Sequence, residues 1–403
     1  MSFDVARVRA MYPALADGRA WLDAAAGTQT PHSVIEAIAG AYRAGIGNTH
    51  GAFPASARSG AIVTEARQAV ADLVGGQAQG VVFGPNMTTL TYRFAATLAK
   101  DWGPGDEIVL SRLDHDANVR PWVQAAERAG ARVRWAEVDV PTGELPATQY
   151  EDLLGERTRL VALTAASNVL GTMPDVPRIT RLAHAAGALT YIDGVHATPH
   201  NPIDVTALGA DFYATSAYKW SGPHIGAVVA APDLLDRLRP DKLASSPDDV
   251  PDRFETGTLP FADLAGVTAA VEHLAALDAE ATGTRRRRIL TSMAAVEAYE
   301  QAELDHLLKE LAALPHVRLV GSPARRTATV YLTVPGHTPL QVAEHLARRG
   351  VNVWDGHCYA WEVTAAFGIR EEGSAVRAGL VHYNDRSDAS RLVEALAELT
   401  PAG

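Results

Sequence analysis

One lysine has more chemistry to offer than any other residue in the chain. Lys219 lies in Ser216-Ala217-Tyr218-Lys219-Trp220-Ser221-Gly222-Pro223, between a strand-like run, Asp211 to Thr215, and an apolar run, Gly226 to Ala230. An amine becomes nucleophilic when its pKa falls, and a carbonyl compound can capture it as a Schiff base. A bare lysine beside a turn is usually solvated; its company argues otherwise here. Asp193 ends a second apolar run, Leu189 to Ile192, one helix-and-strand unit earlier. A carboxylate there can keep a pyridine nitrogen protonated and so make the ring an electron sink.

These two residues predict a site for pyridoxal 5'-phosphate (PLP) on Lys219. The phosphate needs donors, and Gly84 to Thr89 is a turn that opens a helix. Free N–H groups and the positive dipole end favour an anion there. The Met87 and Thr88 amides and the Thr88 hydroxyl are the candidates, with Ser216 opposite. His115, in Leu113-Asp114-His115-Asp116-Ala117-Asn118, could stack on the ring or shuttle a proton. Nothing in the sequence calls for a metal.

The elements that must position these groups alternate. Strand-like runs at Gly80 to Phe83, Glu107 to Leu110, Arg132 to Val138, Leu160 to Thr164 and Leu189 to Ile192 are separated by helical patterns. Such a rhythm predicts an α/β fold with a mainly parallel sheet covered by helices. Ligands of such sheets bind at the carboxyl ends of strands, and the candidate residues fall at those ends. Gly226 to Ala230 follows Tyr213 too closely for a helical crossover, so it can run antiparallel. Ser2 to Met11 reads as a short amphipathic helix and Ala61 to Val74 as a longer one, after a small-residue loop at Gly45 to Ser59. Ile289 to Leu314 is a helix long enough to bridge two domains. A small α+β unit follows, with strands at Val317 to Val320, Ala328 to Val334, Val351 to Trp354 and Val376 to His382, and a last helix capped by Ser387. The expected division is an N-terminal arm (1–20) near the small domain, a large domain (21–283) and a small C-terminal domain (284–403).

Composition narrows the function classes. The 403 residues carry a net charge of -11, which gives no general attraction to nucleic acid or to an anionic membrane. The one basic block, Arg285 to Arg288, reads as a solvated helix start or a contact for an acidic partner. Cys358 is the single cysteine, so no intrachain disulfide can form and a reducing cytoplasm fits. Met1 to Arg9 is charged where a signal peptide needs an apolar run.

The motifs together carry a family resemblance. Asp193-Gly-Val-His196, Ser216-Ala-Tyr-Lys219, Ser167-Asn168-Val-Leu-Gly171-Thr172 and His115-Asp-Ala-Asn118 resemble the class-V aminotransferase group of PLP enzymes. Leu22-Asp23-Ala-Ala-Ala26, Phe254-Glu255-Thr256-Gly257-Thr258 and Arg377-Ala-Gly-Leu-Val-His-Tyr-Asn384 match its other hallmarks. That group includes cysteine desulfurases, selenocysteine lyases and isopenicillin N epimerase. The resemblance implies fold type I, with a mainly parallel seven-stranded sheet, and a homodimer with shared sites. It makes Lys219 the Schiff-base lysine, Asp193 the pyridinium partner and His115 the ring-stacking histidine. It puts Asn168 near the phenolic oxygen and Ser216 at the phosphate, with Thr258 of the neighbouring subunit. His196 and Tyr218 complete the cofactor set. Arg377 would hold the substrate carboxylate with its guanidinium fork, beside Asn168, Ala26 and His50.

The departures bear on the reaction. His196 stands where desulfurases usually have glutamine, and Tyr218 where they usually have histidine. Their nucleophile lies in Arg-x-Gly-His-His-Cys-Ala; here the counterpart is Trp354-Asp355-Gly356-His357-Cys358-Tyr359-Ala360. Without gaps, Tyr359 falls on the nucleophile and Cys358 one residue early. In an extended segment a shift of one reverses a side chain's direction; in a loop it need not. The expected activity is PLP-dependent deprotonation of an α-amino acid by Lys219. In one continuation Cys358 takes sulfur from cysteine, for a sulfur acceptor to collect. In another, carbon–sulfur lysis, epimerisation or transamination proceeds without a protein nucleophile. A third reading, of another class, is a non-catalytic PLP-fold protein that binds a partner.

Overall fold

The computed structural model describes residues 3–399. Thirteen strands follow in chain order: β1 (Ala20–Trp21), β2 (Val81–Gly84), β3 (Glu107–Ser111), β4 (Arg132–Ala136), β5 (Thr158–Thr164), β6 (Leu189–Asp193), β7 (Phe212–Ser216), β8 (Gly226–Ala230), β9 (Arg318–Leu319), β10 (Thr329–Thr333), β11 (Val351–Asn352), β12 (Trp354–Gly356) and β13 (Ala375–Gly379). Seven form one sheet in the order β2-β8-β7-β6-β5-β3-β4. Its pairings are parallel except that β8 runs antiparallel to both β7 and β2. The short link from β7 to β8 forces that direction, since a parallel return needs a crossover of a dozen or more residues.

The sheet is buried on both faces. Every residue of β7 and β8 is buried, which is why these strands read as unbroken apolar runs. Alternate side chains feed two cores. Val161, Leu163, Ile192 and Tyr213 join one; Leu160, Ala162, Tyr191 and Phe212 join the other. A third core lies in the C-terminal part, around β10, β13, Leu346 and Leu392. The 28-residue helix Arg285–Ala312 belongs to two of them. Ile289, Met293 and Val296 pack into the first core, while Leu304, Leu307 and Leu311 pack into the third.

Several elements differ from their sequence expectation. Ser2, where the first helix was expected to begin, lies outside the described residues; the helix observed is Val5–Arg9. The long helix that precedes β2 starts at Pro54, inside the expected loop, because proline at the first turn presets φ without costing a hydrogen bond. The expected strand Val351 to Trp354 is two strands: β11 pairs with β1 and β12 with β13. The last helix is capped by Asp385, not Ser387: Asp385 accepts from the Ser387 and Asp388 amides, and Asp388 completes a capping box. Most of the basic block is paired within the chain, and only Arg287 of the four arginines is exposed. Arg285 pairs with Glu65, Asp72 and Glu272, and Arg288 with Glu272. The N-terminal arm has two anchors. Arg9 reaches Asp388 and the Tyr383 carbonyl, both at 2.7 Å, while Arg7 donates to the Ala276 and Leu277 carbonyls beside the large sheet's helices. No described helix is long and apolar enough to cross a membrane.

Candidate active site

The carboxyl ends of β5, β6 and β7 converge on one cavity. It is lined by Ala25, Met87, Thr88, His115, Thr164, Ala166, Asn168, Asp193, Val195, His196, Tyr218 and Lys219. Register explains the convergence: Thr164 pairs with Asp193 and Asp193 with Ala214, so β5 and β6 end side by side while β7 runs two residues further to Ser216. Lys219 sits in a short helical turn after β7. Its Nζ donates to the Ala25 carbonyl at 2.5 Å. Thr28 donates to the Tyr218 carbonyl from both its amide and its hydroxyl, at 3.0 and 3.2 Å. Tyr218 itself stacks on His224, with ring centroids 4.5 Å apart.

Burial sets the charges. Desolvation and the nearby Arg377 cation bring the Lys219 amine down to about 7, against the opposing pull of Asp193 and Cys358. A lysine in that range is in part neutral and nucleophilic at physiological pH. Desolvation raises Asp193 to about 6, opposed by the Val195 amide and Lys219. His115 is pushed down to about 3 by burial and by the Lys219 and Arg377 cations, so its ring is neutral. Its Nδ1 accepts the Ala117 amide at 3.0 Å, so the ring proton is on Nε2.

Arg377, in the middle of β13, points into this region from the small sheet. Its Nη1 donates to the Asn168 carbonyl at 3.1 Å, and its Nε is buried with no partner among the described residues. The Asn168 amide donates from Nδ2 to the Cys358 carbonyl at 2.8 Å, and its Oδ1 is likewise buried with no partner among the described residues. The segment carrying Cys358 is thereby held against the cavity. Cys358 and Tyr359 both have left-handed backbones, with φ of 47 and 59°. Two such residues in succession turn the chain sharply. The Cys358 side chain is half-buried and within electrostatic reach of Arg377 and Lys219. Tyr359 is 66% exposed, its ring stacked on His115 with centroids 5.3 Å apart. Burial pushes the Cys358 thiol up, and Arg377 draws it back.

The structure thus brings together Lys219, Asp193, His115, His196, Tyr218, Met87, Thr88 and Asn168 on one cavity wall, with Arg377 and Cys358 beside it. Ser216 lies just beneath: it is fully buried and its Oγ accepts the Met87 amide at 3.0 Å. His196 faces the cavity, but its Nε2 is held by Thr327 and Thr329 of the small sheet at 3.1 and 3.0 Å. Ala26 is displaced from the wall by Ala25. His50 and Thr258 are exposed and do not line this cavity within one chain. Sequence reasoning passed over Asp114. This fully buried carboxyl accepts from Asn118 at 2.7 Å and from Ser111, and it lies close enough to Asp193 to feel its charge. An aspartate directly before a candidate histidine was the available signal.

The cavity's unmet demands fit PLP. Asp193 uses Oδ1 to accept the Val195 amide at 2.9 Å. Among the described residues no group donates to its other oxygen, which suits a protonated ring nitrogen. The Thr88 amide, at the start of the 12-residue Met87–Leu98 helix, has no partner among the described residues. The Ser216 hydroxyl keeps its own proton to donate. Both suit a phosphate.

Known proteins match this geometry. The family model for aminotransferase class-V matches residues 20–392. An uncharacterised protein of Mycobacterium tuberculosis, MT3887, is 39% identical over 99% of this chain and 100% of its own length. A probable cysteine desulfurase of Mycobacterium leprae is 33% identical over the whole chain, which spans 66% of that protein. The crystal structure of the cysteine desulfurase CsdA from Escherichia coli superposes with a TM-score of 0.86 at 28% identity, covering 99% of this chain and 98% of that one. With the lysine, the half-paired aspartate and the anion cradle in place, the chain belongs to the class-V aminotransferase family and is a PLP-dependent enzyme.

Proposed function

We propose that the chain breaks the carbon–sulfur bond of a cysteine-type amino acid. The observation that carries this reading is the placement of Cys358: its thiol shares one electrostatic neighbourhood with Lys219 and Arg377. Bound PLP supplies an electron sink for the substrate's α-carbon. The chain's own residues do the rest. Asp193 holds the ring nitrogen's proton. Thr88, the Met87–Thr88 turn and Ser216 cradle the phosphate, with Thr258 of a second subunit. His196, Asn168 and Tyr218 border the ring, and His115 covers its face, backed by Tyr359. Arg377 and Asn168 orient the substrate carboxylate. The neutral Lys219 amine takes the α-proton at Nζ.

Cys358 then completes the desulfurase route. Its thiolate sulfur bonds to the substrate sulfur as the substrate's Cβ–S bond breaks. That bond's electron pair stays with carbon, which takes up a proton, and alanine leaves. The persulfide on Cys358 passes to a sulfur acceptor. The reading includes a homodimer, in which His50 and Thr258, exposed in one chain, reach the partner's site. It includes a division into domains near Gly283; the third core takes up the chain from Leu304 on, with Ala20 and Leu22 of the N-terminal segment. It places the enzyme in the cytoplasm, where one unpaired cysteine stays reduced.

One observation favours a second continuation. Burial keeps the Cys358 thiol protonated, and a thiol is a poor nucleophile. Lysis without a protein nucleophile avoids that obstacle. Cys358→Ala separates the two. The desulfurase route predicts that sulfide release from cysteine, under a reducing thiol, falls about a hundredfold or more. Release that survives the substitution assigns the enzyme to direct lysis.

A further inference from the structure

The strongest polar cluster outside the cavity surrounds the Tyr12 hydroxyl. Tyr12 is 2% exposed and has three hydrogen-bond partners. Ser221 Oγ lies at 2.8 Å, His273 Nε2 at 2.7 Å and His382 Nε2 at 2.7 Å. A phenol oxygen has one proton and two lone pairs, so three partners saturate it. The partners come from three places: the loop just past Lys219, the helix Phe261–Ala275, and the segment just past the Arg377 strand. One hydroxyl therefore joins the lysine loop to the chain end of the strand that carries Arg377.

Ser221 needs such a hold. It has a left-handed backbone, φ 70°, that a non-glycine residue rarely adopts. Its amide donates to Thr28 Oγ1 at 2.7 Å, and the same hydroxyl donates to the Tyr218 carbonyl at 3.2 Å. Lys219 is thus bracketed on both sides by the N-terminal segment, through Thr28 and Tyr12. We infer that Tyr12 is a positioning residue for Lys219, fixing the lysine loop against the Arg377 strand so that amine and guanidinium hold one geometry. This rests on Lys219 being the lysine that reacts.

Hydrogen–deuterium exchange on the full chain, loaded with PLP, tests it. In Tyr12→Phe, amides of the 217–224 peptide should exchange about tenfold faster, and kcat should fall with KM little changed. Tyr150→Phe is the control: it removes a hydroxyl that is also buried but has no partner among the described residues, and should leave that peptide unchanged. Unchanged exchange at 217–224 in Tyr12→Phe overturns the inference. So does an increase spread evenly along the chain, or one matched by Tyr150→Phe. If Tyr12→Phe does not fold, Ser221→Ala removes the other end of the Tyr12–Ser221 bond and reads the same peptide: faster exchange supports the tether, and unchanged exchange overturns it. Borohydride labelling keeps the two readings apart. A label on another lysine sinks the role of Lys219, while the exchange result judges the tether alone.

Discussion

The two walls of the site are made of different material. The lysine wall is assembled at strand ends: Asp193 closes β6 beside Thr164 of β5, Ser216 closes β7 two residues beyond the register partner of Asp193, and Lys219 follows in the turn after β7. The thiol wall is the segment after β12, where left-handed residues, one carbonyl contact from Asn168 and the pairing of Glu362 with Arg112 and Arg120 set the shape. A sheet fixes a side chain's direction by parity, so its chemistry can be placed from spacing alone. A loop fixes it by individual torsions, and spacing says little. In the proposed reaction, the lysine wall sets whether the cofactor can act and the thiol wall what becomes of the substrate's sulfur.

The largest expected effect lies on the lysine wall. Lys219→Ala should lower kcat about a thousandfold or more, because it removes the group that moves the α-proton. Borohydride reduction of the PLP-loaded wild type, followed by peptide mapping, should leave the label on Lys219. A variant that keeps most of its turnover would undo the contrast, since the rigid wall would then not carry the chemistry.

How much was legible follows from the same contrast. The alternation of apolar runs and helices gave the parallel sheet, and the short β7–β8 link gave the antiparallel strand. Most of the candidate cofactor residues could be named because they stand at, or a few residues past, the end of a buried strand or at the start of a helix. Arg285 was misread because nothing in a run of four arginines shows that Glu65, Asp72 and Glu272 converge on it from two other helices. The direction of Cys358 was illegible because two consecutive left-handed residues leave no pattern when neither is glycine. His50 and Thr258 were named through the family resemblance, and a single chain leaves both outside the cavity.

A middle-sized effect probes the floor between the walls. Asp114 is raised to about 8 by burial, partly offset by Ser111 and Asn118 and reinforced by Asp193. Its folded pKa lies above the ordinary 3.8. The native state therefore holds a proton that the unfolded chain has released, and stability falls as pH rises from about 4 through about 8. Asp114→Asn mimics the protonated form at every pH. Melting temperature should match wild type at about pH 3.5 and exceed it by about 2 °C or more near about pH 9. Parallel melting curves across that range would mean that Asp114 is ionised in the fold.

The smallest effect tests the thiol wall's geometry directly. Replacing Tyr359 by alanine loses its stack on His115, worth about 0.5–1.5 kcal/mol. The left-handed backbone remains, and it costs a residue with a β-carbon about 1–2 kcal/mol. Replacing it by glycine loses the same stack and removes that cost, less the extra freedom glycine gives the unfolded chain, about 0.5–1 kcal/mol. Tyr359→Gly should therefore be more stable than Tyr359→Ala by about 0.5–1 kcal/mol in denaturant melts. Equal stabilities would mean that residue 359 is not left-handed. The turn that buries the neighbouring thiol beside Lys219 and Arg377 would then be wrong, and the desulfurase route would lose its nucleophile.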